Sequence, residues 1–213
     1  MPSTAISAQG TLLSIGTGTG GAKTISGVTV GNPTLITATA HGFNNGDVVT
    51  IAALTGADAA LLNGQNWTVL FKTTNAFSVG IDTTGKTITP GAGTATPITF
   101  TSIPNIKQFT GLDGSASEID VSNLASTAKE IRLGLVDGGQ FSFDIDYDNT
   151  LAAHAAIRAK QISGLITNFQ LTLPNTNVVT FTAFVKKFSM AGGVDQVIKT
   201  NVNLRVSGPI TGL

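Results

Sequence analysis

This chain of 213 residues has no cysteine, which excludes disulfides, thiolate zinc sites and cysteine nucleophiles. Histidine occurs only at His41 and His154. Neither stands in a nucleophile-elbow pattern, and no G-x-S-x-G occurs. His41, in a Gly/Asn turn, reads as a side chain bonding its own backbone, and His154 as a partly buried helix residue rather than a catalytic base. Charge is scarce: 12 Lys+Arg balance 12 Asp+Glu, so there is no basic excess to bind nucleic acid by counterion release. A surface so poor in charge tends to associate, as fits a subunit covered by neighbours. No apolar run approaches the roughly 20 residues a membrane helix needs, so no membrane segment is expected. Met1-Pro-Ser-Thr lacks a basic region followed by an apolar core, so no secretory leader is expected. Both chain ends are expected to be tied down by neighbouring subunits.

What the chain does have is alternation. In Phe141-Ser-Phe-Asp-Ile-Asp-Tyr-Asp148, residues Phe141, Phe143, Ile145 and Tyr147 fall on one side and Ser142, Asp144, Asp146 and Asp148 on the other. Period two marks a strand with one buried and one wet face. Three aspartates on one strand face repel one another, and aspartate is a poor strand former. Either that face is simply solvated or a negative surface is useful there.

The chain opens with a strand at Ala8–Ile15, followed by a linker, Gly16-Thr-Gly-Thr-Gly-Gly21. Residues 23–98 form a Thr-rich module of short strands, closed by the Gly/Pro-rich run Pro90–Pro97. Its expected core is Phe43, Val49, Trp67 and Phe77. The expected division is therefore a discontinuous domain, 1–22 with 99–213, interrupted by an inserted domain, 23–98.

After the insertion come a strand at Ile103–Phe109, a long polar loop from Gly111 to Ala128, and the alternating strand. A loop of that length needs a purpose. Asn149 to Lys160 reads as the one helix, with Asn149 as N-cap, Arg158 and Lys160 at the negative end of the dipole, and Gly164 as stop. A hairpin follows, with Leu171 and Phe181 inward and Pro174–Asn177 as its turn. Val194–Ser207 is the last strand. One helix among strands, with no βαβ rhythm, gives a mainly β chain: a β-sandwich with one flanking α-helix, plus an inserted small β-barrel. The sandwich core is Phe141, Phe143, Ile145, Tyr147, Leu171 and Phe181.

No constellation of catalysis emerges. Gly16–Thr24 lacks the spacing of a phosphate loop. Asp144, Asp146 and Asp148 stand about 6–7 Å apart on an open strand face, whereas a calcium ion needs about six to eight converging oxygens. The expectation is no enzyme, no cofactor and no metal site.

Two resemblances add to this. His41-Gly-Phe-Asn-Asn-Gly-Asp47 followed by Val48-Val49 resembles the H-G-F-x-x-G-D-x-V signature of a small β-barrel that recurs in phage structural proteins. That barrel is similar to the half-domain of ubiquitin-activating enzymes. Outside the insertion, the matching pieces begin with Gln9-Gly-Thr-Leu-Leu-Ser-Ile15 and the stretch from Leu124 into Asp137-Gly-Gly139. Phe141–Tyr147, the helix, Leu171–Asn177, Phe181–Phe188 and Val202–Gly208 complete the order. Together they resemble the major tail tube protein of long-tailed, lambda-like bacteriophages.

That resemblance implies a structural subunit assembling into stacked hexameric rings that form a DNA-conducting channel. Neighbouring sheets would join edge to edge, which removes exposed strand edges. The implied partners are further copies of the chain, other tail proteins (terminator, tape measure, distal tail) and, transiently, genomic DNA in the lumen. The implied location is the virion tail, after assembly in the host cytoplasm. Asp144, Asp146 and Asp148 would line the lumen, where negative charge repels phosphate. The loop bearing Glu118, Asp120, Lys129, Glu130 and Arg132 would reach the next ring, and the insertion would decorate the outside. The alternative is a virion decoration protein or adhesin using the small barrel for surface or glycan binding.

Overall fold

The computed structural model describes residues 5–212. The expectation placed on the chain ends concerns Met1–Thr4 and Leu213, outside the described residues. In chain order the strands are β1 (Leu12–Thr19), β2 (Lys23–Thr24), β3 (Gly27–Thr29), β4 (Thr34–Thr37), β5 (Val48–Ala52), β6 (Asn66–Thr68) and β7 (Ala76–Val79). There follow β8 (Thr94–Ser102), β9 (Ile106–Gly111), β10 (Ala116–Asp120), β11 (Ile131–Val136) and β12 (Gln140–Asp146). Helix α1 (Ala152–Ser163) leads into β13 (Thr167–Thr172), β14 (Val178–Ala191) and β15 (Lys199–Val206). The chain is mainly β, its strand pairings are antiparallel, and α1 is the one α-helix among the described residues.

Two compact units result. The first gathers the chain up to Ile15, Thr101–Asn175 and Phe181–Ile210; the second gathers Gly16–Phe100, Thr176–Thr180 and the chain from Thr211.

In the first unit the sheet order is β1-β13-β14-β15-β12-β9, with β9 at the end of the path. Alternation sends one side of every strand into a common core: Leu13 and Ile15, Phe169 and Leu171, Phe181, Phe141 with Phe143 and Ile145, and Val202 with Leu204 are all buried. Phe141 on β12 packs on Phe181 of β14 at 5.4 Å, although β15 lies between those strands. That contact needs the sheet to bend towards its apolar side. Register shifts at Asp144/Ile145 and Val185/Lys187 supply the bend. Tyr147, just past β12, is half-buried between His154 of α1 and Phe188. Arg158 lies over the Phe188 ring, so α1 flanks the apolar side.

Local chemistry moves several expected boundaries. The helix begins at Ala152 rather than Asn149, and its N-cap is Leu151 with no side-chain bond. Asp148 Oδ1 accepts the Thr150 N–H and hydroxyl at 2.8 and 2.7 Å, holding 148–150 in a turn that delays the helix. At the other end Gly164 takes φ 64°, and its N–H donates to the Lys160 carbonyl. The expected strand at 103–109 is broken, because Pro104 offers no N–H and Asn105 takes φ 62°. The last strand begins at Lys199, since the preceding residues turn with Asp195 at φ 59° and Gln196 N–H bonded to the Gly193 carbonyl. The expected loop at 111–128 is half of a β-hairpin, since β10 pairs with β11.

In the second unit β6-β5-β8, with β2 on β8, faces the small sheet β3-β4-β7 across one core. Ile36, Val49, Ile51, Leu62, Val69, Phe77 and Val79 are fully buried there, and Phe43 nearly so. Trp67 packs against this core half-buried, its indole N–H donating to the Leu62 carbonyl at 3.3 Å. The expected linker at 16–21 is largely strand: β1 runs to Thr19. A Cβ on Gly18 would stand 3.0 Å from Thr99 Oγ1, a tight approach that the threonine side chain would have to yield to.

Candidate functional site

The polar side of the first unit's sheet is built by register. Directly paired antiparallel residues share a face, so Gln108, Asp144, Asn201 and Ser189 form one row across β9, β12, β15 and β14. Thr110, Ser142, Asn203 and Lys187 form the next, and Asp146, Lys199 and Ala191 another. The side chains complete the rows. Gln108 Nε2 donates to Asp144 Oδ2, Asn201 Nδ2 donates to Asp144 Oδ1 at 2.7 Å, and Asn203 Nδ2 reaches Asn201 Oδ1 at 3.5 Å. Lys107 Nζ sits 2.8 Å from Asp146 Oδ2. A cleft of about 310 Å³ opens between Asp146, Lys107, Ser189 and Lys199.

This geometry corrects the expectation of a bare triple-aspartate face. Asp148 is not on the strand: β12 ends at Asp146, and the Asp148 carboxylate is used by Thr150, whose donors hold its pKa below the ordinary value. Asp144 is clamped by two amides and Asp146 by a lysine. The alternation of one strand carries no information about the charges its neighbours bring, so Lys107, Lys199 and Arg205 were missed.

The second surface is the hairpin arm, β10 with β11, which joins neither larger sheet. Its base is pinned: Asp113 Oδ1 accepts the Gln140 N–H at 3.0 Å and Asp137 Oδ1 accepts that of Gly139 at 3.0 Å. Arg205 Nη2 reaches Asp137 Oδ2 at 2.5 Å. The Gly139 N–H first, and Arg205 second, hold Asp137 below the usual carboxylate range. At the tip, the Ser122 N–H does the same to Asp120, and Glu130 N–H donates to Ser122 Oγ at 2.9 Å.

All five predicted arm residues, Glu118, Asp120, Lys129, Glu130 and Arg132, are exposed. Lys129 and Asp120 stand 3.9 Å apart, an exposed pair of little energetic weight. Pairing of Glu118 with Leu133 and of Asp120 with Ile131 puts the two carboxylates on the same face as Ile131, Leu133 and Leu135, all exposed. Arg132 and Ile119 share the opposite face. Those leucines were missed as site residues, although the period-two run Ile131, Leu133, Leu135 was visible.

The H-G-F-x-x-G-D motif is absorbed by the fold. His41 Nδ1 accepts the Phe43 N–H at 2.9 Å, Asp47 Oδ2 accepts the Asn44 N–H at 2.8 Å, and the His41, Phe43 and Phe77 rings pack together. His154 is buried: its Nδ1 accepts the Asp148 N–H and its Nε2 bonds the Pro104 carbonyl, each at 3.1 Å. Both histidines are thus committed to backbone groups.

Residues 87–171 match the family model described as phage tail tube, TTP, lambda-like. The matched span runs from just before β8 through β9, the arm, β12 and α1 into β13. The H-G-F motif lies outside it. The family is one of structural proteins, not an enzyme class, in agreement with the expectation of no enzyme. No curated protein matches the chain.

Among solved structures, the chain is similar to one in the tail of an empty gene transfer agent (GTA) particle with C6 symmetry. The two are 16% identical over 54% of this chain and 86% of that one, with a TM-score of 0.47. A chain of the native GTA virion is likewise 16% identical, over 54% and 88%, at 0.47. One in the six-fold symmetrised baseplate of the anti-feeding prophage is 15% identical, over 54% and 85%, at 0.43.

Proposed function

We propose that this chain is a structural subunit of a phage tail tube, located in the virion tail and assembling into stacked hexameric rings around a DNA-conducting channel. The family match over residues 87–171 carries the reading. It includes the two elements a single subunit leaves uncovered: the outer edge of the terminal strand β9 and the arm. A sheet ending in a strand paired along one edge only invites edge-to-edge joining. An isolated two-stranded ribbon is marginal in water unless something covers it. A ring of subunits stacked on further rings answers both needs.

In this reading the polar rows through Asp144, Asp146 and Asn201 line the channel. Their amides, hydroxyls and paired charges offer DNA no strong grip, since each carboxylate is already engaged and the lysines are interspersed with it. The arm reaches the adjacent ring. Residues 23–98 form the inserted domain, a small barrel like that of the H-G-F signature, carried on the outside. The tail's terminator, tape measure and distal tail proteins are the further partners, and assembly takes place in the host cytoplasm.

Negative-stain electron microscopy of the purified protein tests the assembly, with and without tail-assembly factors. Rings or tubes are expected. A protein that stays monomeric at high concentration under both conditions would end this reading. A tube structure with Asp144 and Asp146 facing outward would remove the channel assignment alone.

A further inference from the structure

The arm needs a surface to land on, and the first unit offers one of matching character. Beyond the arm, exposed apolar side chains also occur singly at Ile6, Leu12, Phe184 and Met190, but they cluster at two places. One is the C-terminal end of α1, where Ile162 is 72% and Leu165 61% exposed, with Ile166 beside them. The other is the turn before β15, where Val194 and Val197 stand beside Asp195.

Charge separates the two. The arm's leucine face carries the Glu118 and Asp120 carboxylates. At the turn it would meet the carboxylate of Asp195 between Val194 and Val197, a like-charge contact that disfavours docking, while the lysine that follows, Lys199, stands beyond the patch in the register row of Asp146. At the helix end it meets Lys160, the basic residue of the last turn, which has no salt-bridge partner among the described residues. The left-handed Gly164 ends the helix abruptly, so Leu165 and Ile166 extend the apolar surface past it. The outward Ala155 and Ala159 are too small to hold an incoming ribbon away.

We infer that the Ile131/Leu133/Leu135 face of the arm docks on the Ile162/Leu165 end of α1 in a second copy of this chain, with Glu118 and Asp120 set against Lys160. This rests on the reading of the arm as an assembly contact, and it names the surface that receives it.

The absence of cysteine makes the pairing directly testable. The double variant Leu133→Cys/Ile162→Cys, oxidised under assembling conditions, is expected to give a ladder of covalent oligomers on a non-reducing gel. Each single variant should stop at dimers, and Leu133→Cys/Val194→Cys should give no ladder. As a second measurement, Lys160→Glu should raise the critical concentration for assembly about two- to fivefold. Combining it with Glu118→Lys should bring that concentration back towards the starting value. Assembly that proceeds with no ladder and no effect of Lys160→Glu overturns the pairing and leaves the tube reading standing. A ladder through Val194→Cys instead overturns it in favour of the turn. A wild-type chain that never assembles removes both readings.

Discussion

Replacing Leu133 and Leu135 by serine separates an adhesive role for these residues from a folding role. They are 73% and 91% exposed in the single chain, so little of either side chain contributes to the fold. Changes at exposed positions usually stay within about 0.5 kcal/mol of stability, and the urea midpoint of the unassembled variant should hardly move. Association is another matter. Burying a leucine side chain stabilises by about 1.5–3 kcal/mol, so covering the exposed fractions of both gives an upper bound of about 2.5–5 kcal/mol per contact. Part of that is offset by the loss of freedom on docking, and a surviving ~2 kcal/mol would raise the critical concentration ~30-fold. Light scattering against concentration, with sedimentation velocity on the soluble fraction, reads this directly. An unchanged critical concentration would refute the reasoning. So would a fall in stability of several kcal/mol, which would show the leucines belong to a core.

Three further outcomes follow from the geometry. His154→Ala removes two buried hydrogen bonds at about 1 kcal/mol each and leaves a small cavity, a loss of about 3 kcal/mol; the melting point followed by near-ultraviolet circular dichroism of the lone tyrosine, Tyr147, should fall by about 6–12 °C. Asp137 is held low by the Gly139 N–H and by Arg205, so the stabilisation it lends the arm's base is present above the ordinary carboxylate range and is lost as pH falls through the lowered folded value; in Arg205→Gln its carboxyl, followed by NMR, should titrate part of the way back towards 3.8. Phe77→Ala empties the centre of the second unit and should cost about 3–5 kcal/mol there, seen as earlier unfolding by emission of the lone tryptophan, Trp67, while its loss at no cost would show that Phe77 is not the core anchor.

Elements whose cause is local were legible in the residues. Alternation in Phe141–Ile145 and in Thr200–Val206 names the sides that are buried, because a strand's side chains alternate whatever it pairs with. The stop at Gly164 and the turn role of His41 are likewise short-range, as each is satisfied by backbone a few residues away. The start of α1 was misplaced because Asn149 and Asp148 both compete for the turn, and the Asp148–Thr150 bonds take it.

The chain by itself therefore determined a mainly β protein with one helix, a polar strand face at Asp144 and Asp146, and an exposed segment between β9 and β12. Only the tertiary structure decided what that polar face is. Strand order sets Lys107 and Asn201, from distant parts of the chain, against the aspartates, and a carboxylate's charge is felt only together with whatever stands within a few ångströms of it. Pairing of β10 with β11 likewise turned a nominal loop into a ribbon with its leucines and carboxylates on one face. Register is a property of two strands, and neither one carries it alone.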